Sequence, residues 1–132
     1  MGGETNLAHL LRSLSARLHD GIYVFATVAQ MPEGIAPRMM FHEDEGITLI
    51  LLQQEAEAAG IAFEFPCRMI TLDIHSSLEA VGFIARIATE LAKRGMGVNP
   101  VSAFYHDHLF VPEGREEDAM AILRGIADGT IG

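Results

Sequence analysis

Between Arg68 and Gly95 the spacing of apolar residues changes from two to nearly four. In RMITLDIH (Arg68 to His75), Ile70, Leu72 and Ile74 alternate with Thr71, Asp73 and His75, the pattern of a strand with one buried face. From Ser76 the period is helical, with a stripe of Leu78, Val81, Ile84, Ala85, Ala88, Leu91 and Ala92. Ser76 and Glu79 fit the S-x-x-E box that caps a helix start, and Lys93-Arg94-Gly95 supplies a basic last turn and a glycine stop. A half-buried strand leading straight into an amphipathic helix constrains the chain to helices layered on a sheet.

The same logic orders the other elements. Leu7, Leu10, Leu11, Leu14 and Leu18 predict a first helix ended by His19-Asp20-Gly21, and IYVFATV (Ile22 to Val28) a strand. Met39-Met40-Phe41-His42 is a partner strand across the loop Gln30 to Pro37. Glu43-Asp44-Glu45 reads as the acidic first turn of a helix running through ITLILLQQEAEAAG to Gly60, with Ile61 to Phe65 a further strand. After the Arg68 strand and its helix, Gly97 to Phe104 and His108 to Pro112 are strands joined tightly, and Arg115 to Ala127 is the last helix. Each half is then a βαββαβ unit short of one strand, the first lacking its opening strand and the second its closing one, so that edges are shared or exchanged. The expected fold is α+β: two ferredoxin-like units, residues 1–66 and 67–132, each an antiparallel sheet with helices on one face. With Ile22, Val24 or their neighbours on the uncovered face, a homodimer is expected.

Composition narrows the function. Eighteen acidic residues against nine Lys and Arg give a net charge of -9, which leaves no basic stripe for nucleic acid. The single cysteine, Cys67, forms no internal disulfide and no zinc ribbon, and reads as a small buried hydrophobe. No signal peptide or membrane-length apolar run is evident, so a soluble cytoplasmic protein is expected. A Gly-rich phosphate loop, a nucleophile elbow and H-E-x-x-H are all missing. Neither an enzyme nor a bound cofactor is expected.

Near the C-terminus stands AFYHDHLFVP, Ala103 to Pro112. Residues two apart on a strand share a face, so His106 and His108 point together and Asp107 away. With His75 they offer a metal-site alternative: His75, His106, His108. The other chemistry is zwitterion binding. A helix N-terminus at Ser76 to Gly82, including Ser77 and Val81, would face a ligand carboxylate, with the strand-start backbone of Gly97, Val98 and Asn99 beside it, while Asp107 would hold an ammonium. Ser76 and Glu79 as simple helix caps, and Asp73 and His75 as a solvated face, remain open readings.

The stretch ITLDIHSSLEAVGFIARIATELAKRGMGVNPVSAF resembles the ACT domain, the small regulatory βαββαβ module that binds amino acids. It has strand, loop, a glycine at the helix start (Gly82), an aliphatic stripe, and Gly97-Val98-Asn99 before the next strand. His75 and Asn99 look like the histidine and asparagine that hold ligand in the serine-sensing ACT domain of phosphoglycerate dehydrogenase. Asp107 to Glu113 is similar to the Asp-His-x-x-Val-Pro-Glu segment of animal cytosolic arginine sensors, whose aspartate binds the ligand. HEDEG (His42 to Gly46) looks like the acidic turn before a second helix in such units. The whole chain resembles bacterial stand-alone tandem ACT proteins. The resemblance implies a non-enzymatic regulatory protein that binds an amino-acid-like ligand through His75, Ser76, Ser77, Val81, Gly82, Gly97, Val98, Asn99 and Asp107; the alternatives are a ligand-free protein-interaction module or a His-based metal binder.

Overall fold

A computed structural model describes residues 6–74 and 80–131. In chain order the elements are α1 (Leu7–Arg12), β1 (Ala16–Leu18), β2 (Tyr23–Val28), β3 (Met39–His42), β4 (Ile47–Leu52), α2 (Gln53–Ala58), β5 (Glu64–Leu72), α3 (Phe83–Ala92), β6 (Asn99–Ser102), β7 (Asp107–Pro112) and α4 (Glu116–Asp128). They form two compact units, residues 21–67 and residues 1–20 with 68–132. The fold is α+β with antiparallel sheets, as tandem ferredoxin-like units require.

In residues 21–67 the strand order is β3-β4-β2-β5. β2 and β4 pair along their whole length, from Tyr23 opposite Leu52 to Val28 opposite Ile47. Alternation sends Val24, Ala26, Leu49 and Leu51 to one face, where they pack with Ala56 of α2 and with Met31 and Ile35 from the loop 29–38. The four strands and α2 have the βαββαβ arrangement, with that loop standing where the first helix belongs. Between Tyr23 and Phe25 the pairing with β5 slips by one residue. The extra residue falls at Phe65, held at φ 58°, a left-handed conformation that costs a non-glycine residue on the order of 1 kcal/mol. Its ring meets Phe25 edge-on at 5.8 Å.

In the other unit the order is β1-β5-β7-β6. Ile70 and Leu72 of β5 and Leu109 and Val111 of β7 face a core completed by Leu10 and Leu11 of α1, Ile87 and Leu91 of α3, and Ile122 and Leu123 of α4. Here β5, α3, β6, β7 and α4 follow βαββα, and β1, earlier in the chain, fills the place of the last strand by pairing antiparallel with β5 (Ala16 opposite Leu72, Leu18 opposite Ile70).

Several sequence expectations change. The first helix stops at Arg12, capped by Asn6 at one end and Ser13 at the other. Residues 16–18 gain a strand partner, and Ser15 accepts the Asp73 N–H at 2.6 Å. Such pairing outweighs helix propensities of a few tenths of a kcal/mol. ITLILL is strand β4, because its aliphatic run satisfies its backbone against both β2 and β3. The acidic residues before it make a turn in which Glu43 and Gly46 exchange backbone hydrogen bonds, so they do not open a helix. The unit that follows lacks a first helix, and its opening strand, expected to be missing, is β2. Ile61 to Phe65 and Arg68 to His75 were separate expectations, but β5 runs from Glu64 to Leu72 through Pro66. Val24, expected on the uncovered face, is fully buried against α2. None of the helices among the described residues is long and apolar enough to cross a membrane.

Candidate ligand site

Of the ligand residues expected from the sequence, Val81, Gly82 and Asp107 lie at one end of the unit built from residues 1–20 and 68–132. β5 ends at Leu72 and α3 begins at Phe83, its N-cap being Gly82 at φ 89°. The helix was expected from Ser76. A residue with left-handed φ cannot lie inside an α-helix, so the helix starts seven residues later, and Val81, placed in the apolar stripe, is 83% exposed. A side chain at Gly82 would be strained by its φ, and its Cβ would stand 3.4 Å from Leu7. Gly82 provides no side-chain cap, so the first-turn amides and the positive end of a ten-residue helix face this end of the sheet. His75, Ser76, Ser77 and the Glu79 of the expected capping box lie outside the described residues.

The β6–β7 hairpin reaches the same end. Its turn is Ala103 to His106, closed by the Ala103 N–H on the His106 carbonyl at 3.0 Å, with Ser102 opposite Asp107. The turn is therefore AFYH, earlier than the tight connection expected between Phe104 and His108, and Phe104 lies in it rather than in a strand. Phe104 and Tyr105 are 67% and 64% exposed and touch edge to face. Asp107 is buried and accepts the Ser102 hydroxyl at 2.5 Å. A His106 ring nitrogen lies 3.3 Å from the Ile74 carbonyl, tying the hairpin to the strand end that leads into the loop.

His106 and His108 share the face opposite Asp107, as alternation requires. His108 Nδ1 is 2.9 Å from the Thr71 hydroxyl, which lies 2.6 Å from His19 Nε2. Arg17 approaches His19 at 3.3 Å and Asp73 at 4.0 Å, and His106 Nε2 is 3.9 Å from Asp73. Thr71 has one proton to give, so one imidazole donates to it and the other accepts. The His106 and His108 rings are 6.4 Å apart between centroids. No group of three or more His, Cys, Asp or Glu among the described residues is placed to hold a metal ion. Sequence reasoning missed Arg17, His19 and Thr71 as a network because residues 16–19 read as helix; the alternation of Ala16 and Leu18 with Arg17 and His19 was the signal.

Gly97, Val98 and Asn99 stand apart from this end. Gly82 and Gly97 flank opposite ends of α3, about 15 Å long at 1.5 Å per residue. Asn99 pairs with Phe110, three residues or roughly 10 Å along the strand from Ser102 and Asp107. Val98 packs on the core, while Gly97 and Asn99 are exposed. Thus Gly82 and Asp107 come to one end with Val81, and the Gly97-Val98-Asn99 triplet does not.

Comparison with known proteins decides the family. Two ACT-domain family models match in tandem, one over residues 2–68 and one over residues 64–125. The chain belongs to the ACT-domain family. A crystal structure of the Vibrio cholerae protein VC0802, of unknown function and described as a possible transport protein, is 39% identical, with a TM-score of 0.84 over 92% of this chain and 95% of that one. The Agrobacterium tumefaciens protein Atu0741 is 17% identical, with a TM-score of 0.73 over 86% and 89% of the two chains. The ligand-free regulatory subunit of Thermus thermophilus aspartate kinase shares the fold at 13% identity, with a TM-score of 0.59 over 86% and 98%. No curated protein matches. ACT domains are regulatory modules, and a regulatory, ligand-binding role is what this membership supports.

Proposed function

We propose that this ACT protein is a non-enzymatic, cytoplasmic regulator that binds a small amino acid or a similar zwitterion, works as a homodimer, and descends from two ACT units covering residues 1–66 and 67–132. The observation that carries the reading is the shared position of the Gly82 helix start and the buried Asp107 carboxylate at one end of the sheet. The first offers N–H groups and a positive dipole to a ligand carboxylate; the second offers an acceptor to its ammonium. His75, Ser76, Ser77 and Val81, which lie in sequence between β5 and the Gly82 helix start, are the further ligand-contacting candidates, and Phe104 and Tyr105 give an aromatic rim. Gly97, Val98 and Asn99 hold the far end of α3 and do not enter the proposed site.

Thermal-shift screening of the twenty amino acids tests it. At least one should raise the melting temperature, and Asp107→Asn should weaken its binding by about 1.5–3 kcal/mol, the scale of a charge-assisted hydrogen bond. If the screen raises no transition, the exposed Phe104 and Tyr105 favour the second reading, a protein-interaction module on an ACT scaffold.

A further inference from the structure

A groove of about 410 Å³ runs between β1 and α4, wholly within the unit of residues 1–20 and 68–132. Its apolar floor is Leu14 and Leu123, 6% and 1% exposed, with the half-buried Met120 beside them. The α4 wall is Met120, Leu123, Arg124, Ala127 and Asp128, whose spacing of three and four residues puts them on one face of the helix. The opposite wall is the free edge of β1. Ser15 accepts the Asp73 N–H at 2.6 Å and His19 donates to the Met69 carbonyl at 3.0 Å. Bonded residues alternate along an antiparallel ladder, so Ala16 turns its N–H and C=O away from β5, toward an edge that no strand among the described residues pairs.

Charge selects what fits. Asp128 Oδ1 already accepts the Thr130 hydroxyl at 2.8 Å and the Thr130 N–H at 3.0 Å, and the Arg12 charge lies near enough to help hold its carboxyl ionised. Arg124 makes no hydrogen bond or ion pair to another described residue. The unbalanced charge of the groove is therefore positive, in a chain with twice as many acidic as basic residues. A guanidinium and an outward N–H together suit a carboxylate, which accepts from both. A bare dianion would leave the apolar floor in water, whereas an acid carrying an apolar tail covers it.

We infer that this groove is a small-molecule site for a monocarboxylate with a short apolar tail, its carboxylate held by Arg124 and the Ala16 N–H and its tail lying along Leu14, Met120 and Leu123. It is built on other elements than the Gly82 and Asp107 end and does not depend on the amino-acid reading. Two-dimensional NMR of the full chain, titrated with millimolar isocaproate, tests it. Amides of residues 14–16 and 120–128 should shift. Isocaproamide, of the same shape without the charge, should bind at least about tenfold more weakly, and acetate, without the tail, should leave those amides unmoved. Arg124→Gln, on an exposed side chain, should weaken isocaproate by about tenfold with the melting temperature unchanged; Arg38→Gln, at an exposed arginine of the other unit, should not weaken it. Isocaproate that leaves residues 14–16 and 120–128 undisturbed overturns the site. So do amide and acid binding alike, which reduces the groove to apolar surface, and acetate binding as well as isocaproate, which leaves an adventitious ion only. Leucine, the same tail with an ammonium added, binding more tightly than isocaproate would assign the groove to a zwitterion and overturn the ligand class.

Discussion

The two units solve one construction problem in opposite ways. Residues 21–67 keep four strands and one helix and do without the first helix, covering Val24, Ala26, Leu49 and Leu51 partly with Met31 and Ile35 of a loop. The other unit has both helices, borrows its last strand from residues 16–18, and gains α1 as a third helix on the same face. Both α2 and α3 begin without a side-chain cap, but α3 follows the left-handed Gly82 and stands where the first helix of an ACT unit belongs, a place that residues 21–67 fill with a loop.

The comparison breaks most readily at the core. Leu10 has no exposed surface and lies in the three-helix core, so Leu10→Ala should cost about 3 kcal/mol in urea unfolding. Ile35, only partly buried in the loop that replaces a helix, should cost under about 1 kcal/mol when changed to Ala. Equal losses would mean that the loop packs as firmly as the helix layer. Backbone strain gives the next effect. Gly82→Ala at φ 89° should destabilise by about 1 kcal/mol or more; Gly97→Ala, with no left-handed φ and nothing within 4 Å of the added atom, should be nearly neutral.

A smaller effect concerns the ion pair from Arg68 to Glu116 at 3.0 Å, with Arg68 also donating to the His19 carbonyl at 2.8 Å. Hydrogen bonds from the Glu116 backbone, then from Gly114, with help from the Arg68 charge, outweigh desolvation and hold the Glu116 carboxyl below its ordinary 4.5. Its folded value being depressed, the stability it adds is complete above that ordinary value and disappears as pH falls through the folded one. Glu116→Gln should therefore lower the melting temperature at pH 7, by the equivalent of about 0.5–1 kcal/mol, and the gap should close at strongly acid pH. The last effect is kinetic. Burial pushes the Cys67 thiol up to about 12 and its Sγ donates to the Tyr23 carbonyl. Disulfide reagents should label it only on opening, and labelling in mild urea faster than global unfolding would show that residues 21–67 open as a separate unit.

The fold was legible in the sequence where pattern and tertiary pairing agree, and obscured where they compete. β2, α4 and the alternation around Ile70 and Leu72 appear as periodicity alone indicates, whereas β3 has the expected residues but pairs β4 and not, as expected across the loop, β2. Residues 16–18 did not, because leucines at helical spacing ran into a segment that a distant strand captures. ITLILLQQEAEA hid a strand-to-helix change within one apolar run, for which turn chemistry at Glu43 to Gly46 was the better guide. Among the proposed ligand residues, Gly82 was legible as a special backbone position, while Asp107 stands at the start of β7 just past the hairpin turn. That Gly97-Val98-Asn99 lies at the other end of α3 was not legible, since linear order does not say which end of a helix a loop occupies until the helix start is known.

The most direct test is a two-dimensional NMR titration of the full chain with whichever of the twenty amino acids raises the melting temperature most. Amide shifts should concentrate in residues 73–85 and 102–108, be much reduced in Asp107→Asn, and leave residues 29–38 and 97–99 unmoved. Shifts centred on residues 29–38 or 97–99, with 73–85 and 102–108 undisturbed, would contradict the proposed site.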